Sequence, residues 1–173
     1  MDDWELDNLL QIFFASVGLS FNLLLIHASC ILIDNEAVLF TAPSGSGKST
    51  IAKLSEKEII HDDLVALTYN EAQGNFLIQS IPFKVPYLKK AFYGKIKGFF
   101  RIYKSTETYI EDINDVEQYS QLLASVWSFS EFDGTNKKSY NGAVVEYCEH
   151  IKNAVPLKNL YFTKSNDFLN LIK

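Results

Sequence analysis

One eight-residue stretch limits the fold more than any other: Ala42-Pro-Ser-Gly-Ser-Gly-Lys-Ser49. It matches the pattern G-x-x-x-x-G-K-[ST] at three of its four fixed positions, with Ala in place of the first Gly. Such a loop works only between a strand and a helix. Ala37 to Thr41 is an apolar strand candidate, and the pattern from about Gly47 to Glu58 reads as a helix. Gly45 and Gly47 allow backbone N–H groups to curl around a phosphate without a Cβ in the way. Lys48 has the reach for β- and γ-phosphates, and the Ser49 hydroxyl suits Mg²⁺. Pro43, Ser44, Ser46 and Thr50 complete the expected cradle. Ala at position 42 restricts positive φ, so it is the one departure that a structure has to explain.

The rest of the chain alternates between the two periodicities. Asp3 to Val17 carries apolar residues at helical spacing and stops at Gly18. Leu23 to Ile33 is β-rich, and Asp34-Asn35-Glu36 is a turn into the next strand. Ile59-Ile60 ends at His61-Asp62-Asp63. Leu64 to Tyr69 and Phe76 to Ile81 flank a hairpin loop at Asn70 to Asn75. Ile96 to Tyr103 reads as a strand. Asp115 to Phe129 reads as a helix with Asn114 as N-cap, and Lys137 to Asn153 as a second one. Leu157 to Phe162 is a late strand, and Asn166 to Ile172 a terminal helix. This pattern predicts an α/β fold with a mixed central sheet flanked by helices, as a single domain over residues 1–173.

A phosphate loop needs a carboxylate for its metal and, where a group is transferred, a base. Asp62 and Asp63 follow Lys48 by 14 and 15 residues at the end of a short strand, where α/β sheets collect ligand chemistry. One can hold Mg²⁺ while the other takes a proton from an attacking hydroxyl. His27 lies in an apolar run, where a buried, hydrogen-bonded histidine is the plain alternative.

Leu25-Ile26-His27-Ala28-Ser29, a β-hairpin, the phosphate loop and Asp62-Asp63 together resemble the catalytic domain of HPr serine kinase/phosphorylase and its shorter relatives. That superfamily is similar in fold to phosphoenolpyruvate carboxykinase. His27 stands 21 positions before Lys48, close to the spacing in that family. Ile81-Pro-Phe83, Lys97-Gly-Phe-Phe100 and Val155 to Tyr161 add weaker matches. The resemblance implies a P-loop kinase that uses ATP and Mg²⁺ to phosphorylate a hydroxyl on a protein, a peptide or a small molecule. It implies Asp62 as general base with His27 and Lys48 as catalytic partners, and Ser49 and Asp63 as Mg²⁺ ligands, with the two aspartates exchangeable. The length is expected to be that of a catalytic core without the family's regulatory domain. The family's glycine- and arginine-rich signature is missing, since the one arginine is Arg101, so neither reverse phosphorolysis nor HPr as acceptor is implied. A nucleotide-hydrolysing regulatory module with no phosphorylated product is the alternative. The family also leaves room for a homo-oligomer.

The formal net charge of −5 argues against a surface-wide nucleic-acid binder. That total is an average. Lys84 to Lys104 holds seven basic residues and no acid, interleaved with aromatics, so the remainder carries −12. Within this block Lys97 and Arg101 are the candidates for γ-phosphate or substrate contacts. Solvated lysines or a nucleic-acid surface are the competing readings. Cys30 and Cys148 lack metal spacing and fit a reducing compartment. The acidic start differs from a signal peptide, and Leu9 to Ile33 is too often interrupted to span a membrane. A cytoplasmic protein is expected.

Overall fold

The computed structural model describes residues 3–70, 72–79, 81, 92–127 and 137–172. Helix α1 (Asp3–Val17) is followed by a 3₁₀ turn and strands β1 (Leu23–His27), β2 (Ser29–Ile33) and β3 (Glu36–Thr41). Helix α2 (Lys48–Leu54) leads to β4 (Ile59–His61), β5 (Leu64–Asn70), β6 (Asn75–Gln79), β7 (Tyr93–Lys104) and β8 (Tyr109–Asp112). Helices α3 (Asp115–Ser125) and α4 (Lys137–Ala154), strand β9 (Leu157–Phe162) and a 3₁₀ turn at Asp167–Asn170 complete it.

The nine strands form one curled mixed sheet in the order β1-β5-β6-β7-β3-β2-β4, with β9 on β7 and β8 on β9. The twelve-residue β7 causes the curl. Its first residues pair antiparallel with β6, while Ile96 to Arg101 pair parallel with β3 and Phe99 to Lys104 parallel with β9. Three apolar clusters fill the layers. α1 covers Leu23, Leu25, Leu64 and Ala66. α3 and α4 cover the opposite face through Leu24, Ile26, Val65, Leu67 and Phe99, against Leu122, Val144 and Cys148. α2 and the C-terminal turn cover Phe40, Phe100, Ile102 and Phe162. β1 and the first half of β5 are therefore buried on both faces, which explains their unbroken apolar runs.

Several boundaries differ from the sequence expectation. The run Leu23 to Ile33 is two strands that break at Ala28, because β1 pairs with β5 whereas β2 pairs with β3 and β4. α2 stops at Leu54, short of Glu58. The Ser55 hydroxyl turns back to the Ala52 carbonyl (2.6 Å), and Glu56 adopts φ 53°. α3 has the expected cap, with the Asn114 side chain accepting the Glu117 N–H at 3.0 Å. It ends at Ser125, where Val126 turns extended and bridges Ile26; Phe129 lies outside the described residues. The terminal helix is only the short 3₁₀ turn. β8, a half-exposed edge strand of Tyr-Ile-Glu-Asp, carries no alternation in sequence. No described helix is long and apolar enough to cross a membrane.

His61 is buried at 2% exposure, and burial holds its pKa below the usual 6.5 against the pull of the Asp63 and Asp62 carboxylates. The folded protein therefore refuses a proton that the unfolded chain accepts below about pH 6.5. Stability is full above that pH and declines as the pH falls towards the depressed value. Unfolding midpoints measured from pH 7.5 to 5.5 should drop in the wild type and drop less in His61→Gln; parallel curves would exclude His61 as the cause.

Candidate functional site

The site grows from a corner in the sheet. β1–β2 and β4–β5 run antiparallel, with His27 opposite Leu64 and Cys30 opposite His61. The register continues across the break, so Ala28 faces Asp63 and Ser29 faces Asp62. The Ala28 N–H donates to the Asp63 carbonyl at 3.1 Å. The fully buried Ser29 hydroxyl donates to Asp62 Oδ1 at 3.0 Å, with the Asp62 carbonyl at 3.2 Å. His27 Nδ1 stands 3.2 Å from the Asp63 carbonyl and 3.5 Å from Asp63 Oδ1, with both side chains half exposed.

β3 delivers the Ala42–Ser49 loop beside this corner. The Thr41 hydroxyl donates to the His27 carbonyl at 3.1 Å and ties the end of β3 to the end of β1. Only Gly45 (φ 77°) and Gly47 (φ 110°) take left-handed backbone in the loop. Ala42 is not among the positive-φ residues and is buried at 8% exposure, so the Ala-for-Gly departure costs no strain. A Cβ on Gly47 would meet Lys104 Cε at 3.2 Å, a contact the flexible lysine can relieve, so the positive φ is what selects glycine there. The Lys48 ammonium donates to the Ala42 carbonyl at 2.8 Å and lies 3.5 Å from that of Pro43. Ser49 and Thr50 are exposed in the first turn of α2.

Loop and corner open onto one cleft of about 270 Å³. The loop contributes Ala42, Pro43, Ser44 and Lys48, and the corner contributes His27 and Asp63. Arg101 enters from β7, and Thr41, Ala124 and Ser125 close the wall. The Arg101 guanidinium lies 5.8 Å from the centre of the Tyr103 ring. That ring stacks on Tyr161, which stacks on Tyr109 and hydrogen-bonds Glu111 at 3.2 Å. The Tyr103 ring at the head of this column gives the guanidinium a cation–π neighbour, and Arg101 Nε is buried without a hydrogen-bond partner.

Among the candidate residues, His27, Lys48, Asp63 and Arg101 come together in the cleft. Asp62 does not line it and is held by Ser29. Lys97 is not brought there at all. In the parallel pairing of β7 with β3, Thr41 faces Arg101 at the loop end, while Ala37 faces Ile96 at the far end. Lys97 therefore sits at the β2–β3 turn and pairs with Asp34 at 2.9 Å. The basic block is likewise no single patch: Lys95, Lys97, Arg101 and Lys104 are strung along β7, and Lys84, Lys89 and Lys90 lie outside the described residues. Thr41, Ala124 and Ser125 escaped the sequence reading. Thr41 could have been found as the residue before the loop, but nothing in the sequence of α3 points to its end as a cleft wall.

Among the described residues no three His, Cys, Asp or Glu side chains gather into a metal site. Mg²⁺ needs no such cage, because one or two protein oxygens plus phosphate oxygens and water suffice. Ser49 and the aspartate pair supply oxygens of that kind.

No family model matches the sequence, and no curated protein matches it. Among solved structures, the fold is similar to that of the HPr(Ser) kinase/phosphatase from Coxiella burnetii, at 11% sequence identity and a TM-score of 0.43, over 85% of this chain and 90% of that one.

Proposed function

We propose that this chain is an ATP-dependent phosphotransferase that moves the γ-phosphoryl group to a hydroxyl of a protein, a peptide or a small molecule. The observation that carries the reading is the sharing of one cleft by Lys48, the His27–Asp63 pair and Arg101. A module that only binds nucleotide needs the loop lysine but not a histidine–carboxylate pair facing it.

In this mechanism the acceptor oxygen attacks the γ-phosphorus in line. The new O–P bond forms as the bond to the β-phosphate oxygen breaks, ADP leaves, and the acceptor proton passes to a carboxylate. The aspartate roles inferred from the family resemblance exchange: Asp63, which lines the cleft, is the base, and His27 steadies it. Ser49 and Asp62 are the residues that would hold Mg²⁺, which would supply positive charge to offset the negative charge of the phosphates. Lys48 leaves its loop carbonyls for the phosphates, and Arg101 meets the charge that spreads over the transferred group.

The test is label transfer. With γ-labelled ATP, Mg²⁺ and a library of Ser/Thr peptides and small alcohols, label should appear on an acceptor; label found only as free phosphate would reject the kinase in favour of a hydrolysing module. Arg101→Ala should cut kcat by about 10²–10³ while the nucleotide Kd changes less than threefold, the size expected for losing one preorganised donor to a transition-state charge. Arg101→Lys should recover little, because an ammonium does not reproduce the planar fork. An unchanged kcat in Arg101→Ala would remove the guanidinium from the mechanism.

A further inference from the structure

A second cavity lies elsewhere, in an open groove of about 640 Å³ between α3 and α4. Its apolar lining is Val116, 80% exposed, Val145, 46% exposed, and Tyr119. Its rim is acidic, with Asp115, Glu146 and Glu149. The one lysine there, Lys152, pairs with Asp115 at 3.3 Å and with Glu149 at 3.1 Å, so three carboxylates less one ammonium leave the rim at a formal charge of −2. His150 stacks on Tyr69 with ring centres 5.5 Å apart and stays half exposed, with its Nε2 4.0 Å from Glu146 Oε1.

We propose that this groove docks a basic polypeptide segment anchored by apolar side chains. A negative rim around exposed valines selects that chemistry: cationic side chains meet the rim and aliphatic ones cover Val116 and Val145. An acidic segment would place like charges against Glu146 and Glu149. The groove is open to solvent, which suits a chain better than a small molecule. Its position gives docking a consequence. α3 begins in the groove at Asp115 and ends in the cleft at Ser125, and ten rises of about 1.5 Å each separate the two by roughly 15 Å. A partner held in the groove is thereby tethered within a few extended residues of Lys48 and Asp63, at a raised effective concentration. The groove and its occupant do not depend on the transfer reaction.

The test is fluorescence anisotropy on the full chain with a labelled amphipathic peptide of Lys and Leu, beside its Glu/Leu counterpart. The wild type should bind the Lys/Leu peptide at least tenfold more tightly than the Glu/Leu peptide. Glu146→Lys and, separately, Val116→Ser should each weaken binding at least fivefold; both positions are exposed, so circular dichroism should show folded proteins. Asp63→Asn should bind the peptide as the wild type does, so loss of transfer and loss of docking are read apart. Equal binding of the two peptides, or no change in the two groove variants, would overturn the proposal. So would sedimentation showing that Val116→Ser turns a dimer into a monomer, because the occupant would then be a second copy.

Discussion

Asp63→Asn should lower the rate of phosphoryl transfer by about 10²–10⁴, the range for loss of a positioned general base, while nucleotide affinity stays within about twofold. The substitution keeps the shape of the side chain and its contact with His27, which stands 3.5 Å from Asp63 Oδ1, and removes only the ability to take a proton. Asp62→Asn should behave differently. Its Oδ1 accepts from the Ser29 hydroxyl, and if it holds Mg²⁺ as proposed, its loss should raise the Mg²⁺ concentration needed for half-maximal rate and leave the rate at saturating Mg²⁺ closer to wild type. Single-turnover kinetics across a Mg²⁺ series separate the two. If Asp62→Asn loses transfer at every Mg²⁺ concentration while Asp63→Asn stays active, the roles stand as the family resemblance first implied them.

That pair of variants bears on how much of the site could be read from sequence. The loop's backbone was legible because it is local: it joins β3 to α2, and Gly45 and Gly47 take the positive φ that the glycines allow. The corner was half legible. Asp62-Asp63 at the end of a short strand marks a site, but which carboxylate faces the cleft depends on the break at Ala28. That break arises because β1 and β2 pair with different strands of the curl, and pairing partners are not written in a run of apolar residues. Lys97 and Arg101 show the same limit. Both are cations on one strand at an even spacing, and a periodic reading treats them alike. The parallel register with β3 sends one to Asp34 and the other to the loop. The fold class was legible because alternation of strand and helix needs only local pattern; the curl, the short edge strand β8 and the end of α3 are consequences of tertiary pairing.

Phe40→Ala should destabilise the protein by about 3–5 kcal/mol, the usual cost of deleting a buried aromatic ring. Phe40 is fully buried in the middle strands, with Phe100 at 6.3 Å between ring centres and Phe168 edge-on at 5.8 Å. Phe100 stands on a strand and the sheet around it is paired on both sides, so little can move in to fill the gap. At about 2–4 °C per kcal/mol for a chain of this size, the midpoint should fall by roughly 6–20 °C. Phe13→Ala is the control: that ring is 57% exposed on α1, and its loss should cost within about 0.5 kcal/mol. The effect should also reach the site, because Phe40 shares its cluster with Ala42, Ile51 and Ala52, which hold the loop and its helix in place. Nucleotide affinity measured well below the unfolding transition should therefore weaken in Phe40→Ala, in contrast to Asp63→Asn. A loss below about 1 kcal/mol would mean that Phe168 and the C-terminal turn collapse into the space, and then affinity should stay unchanged.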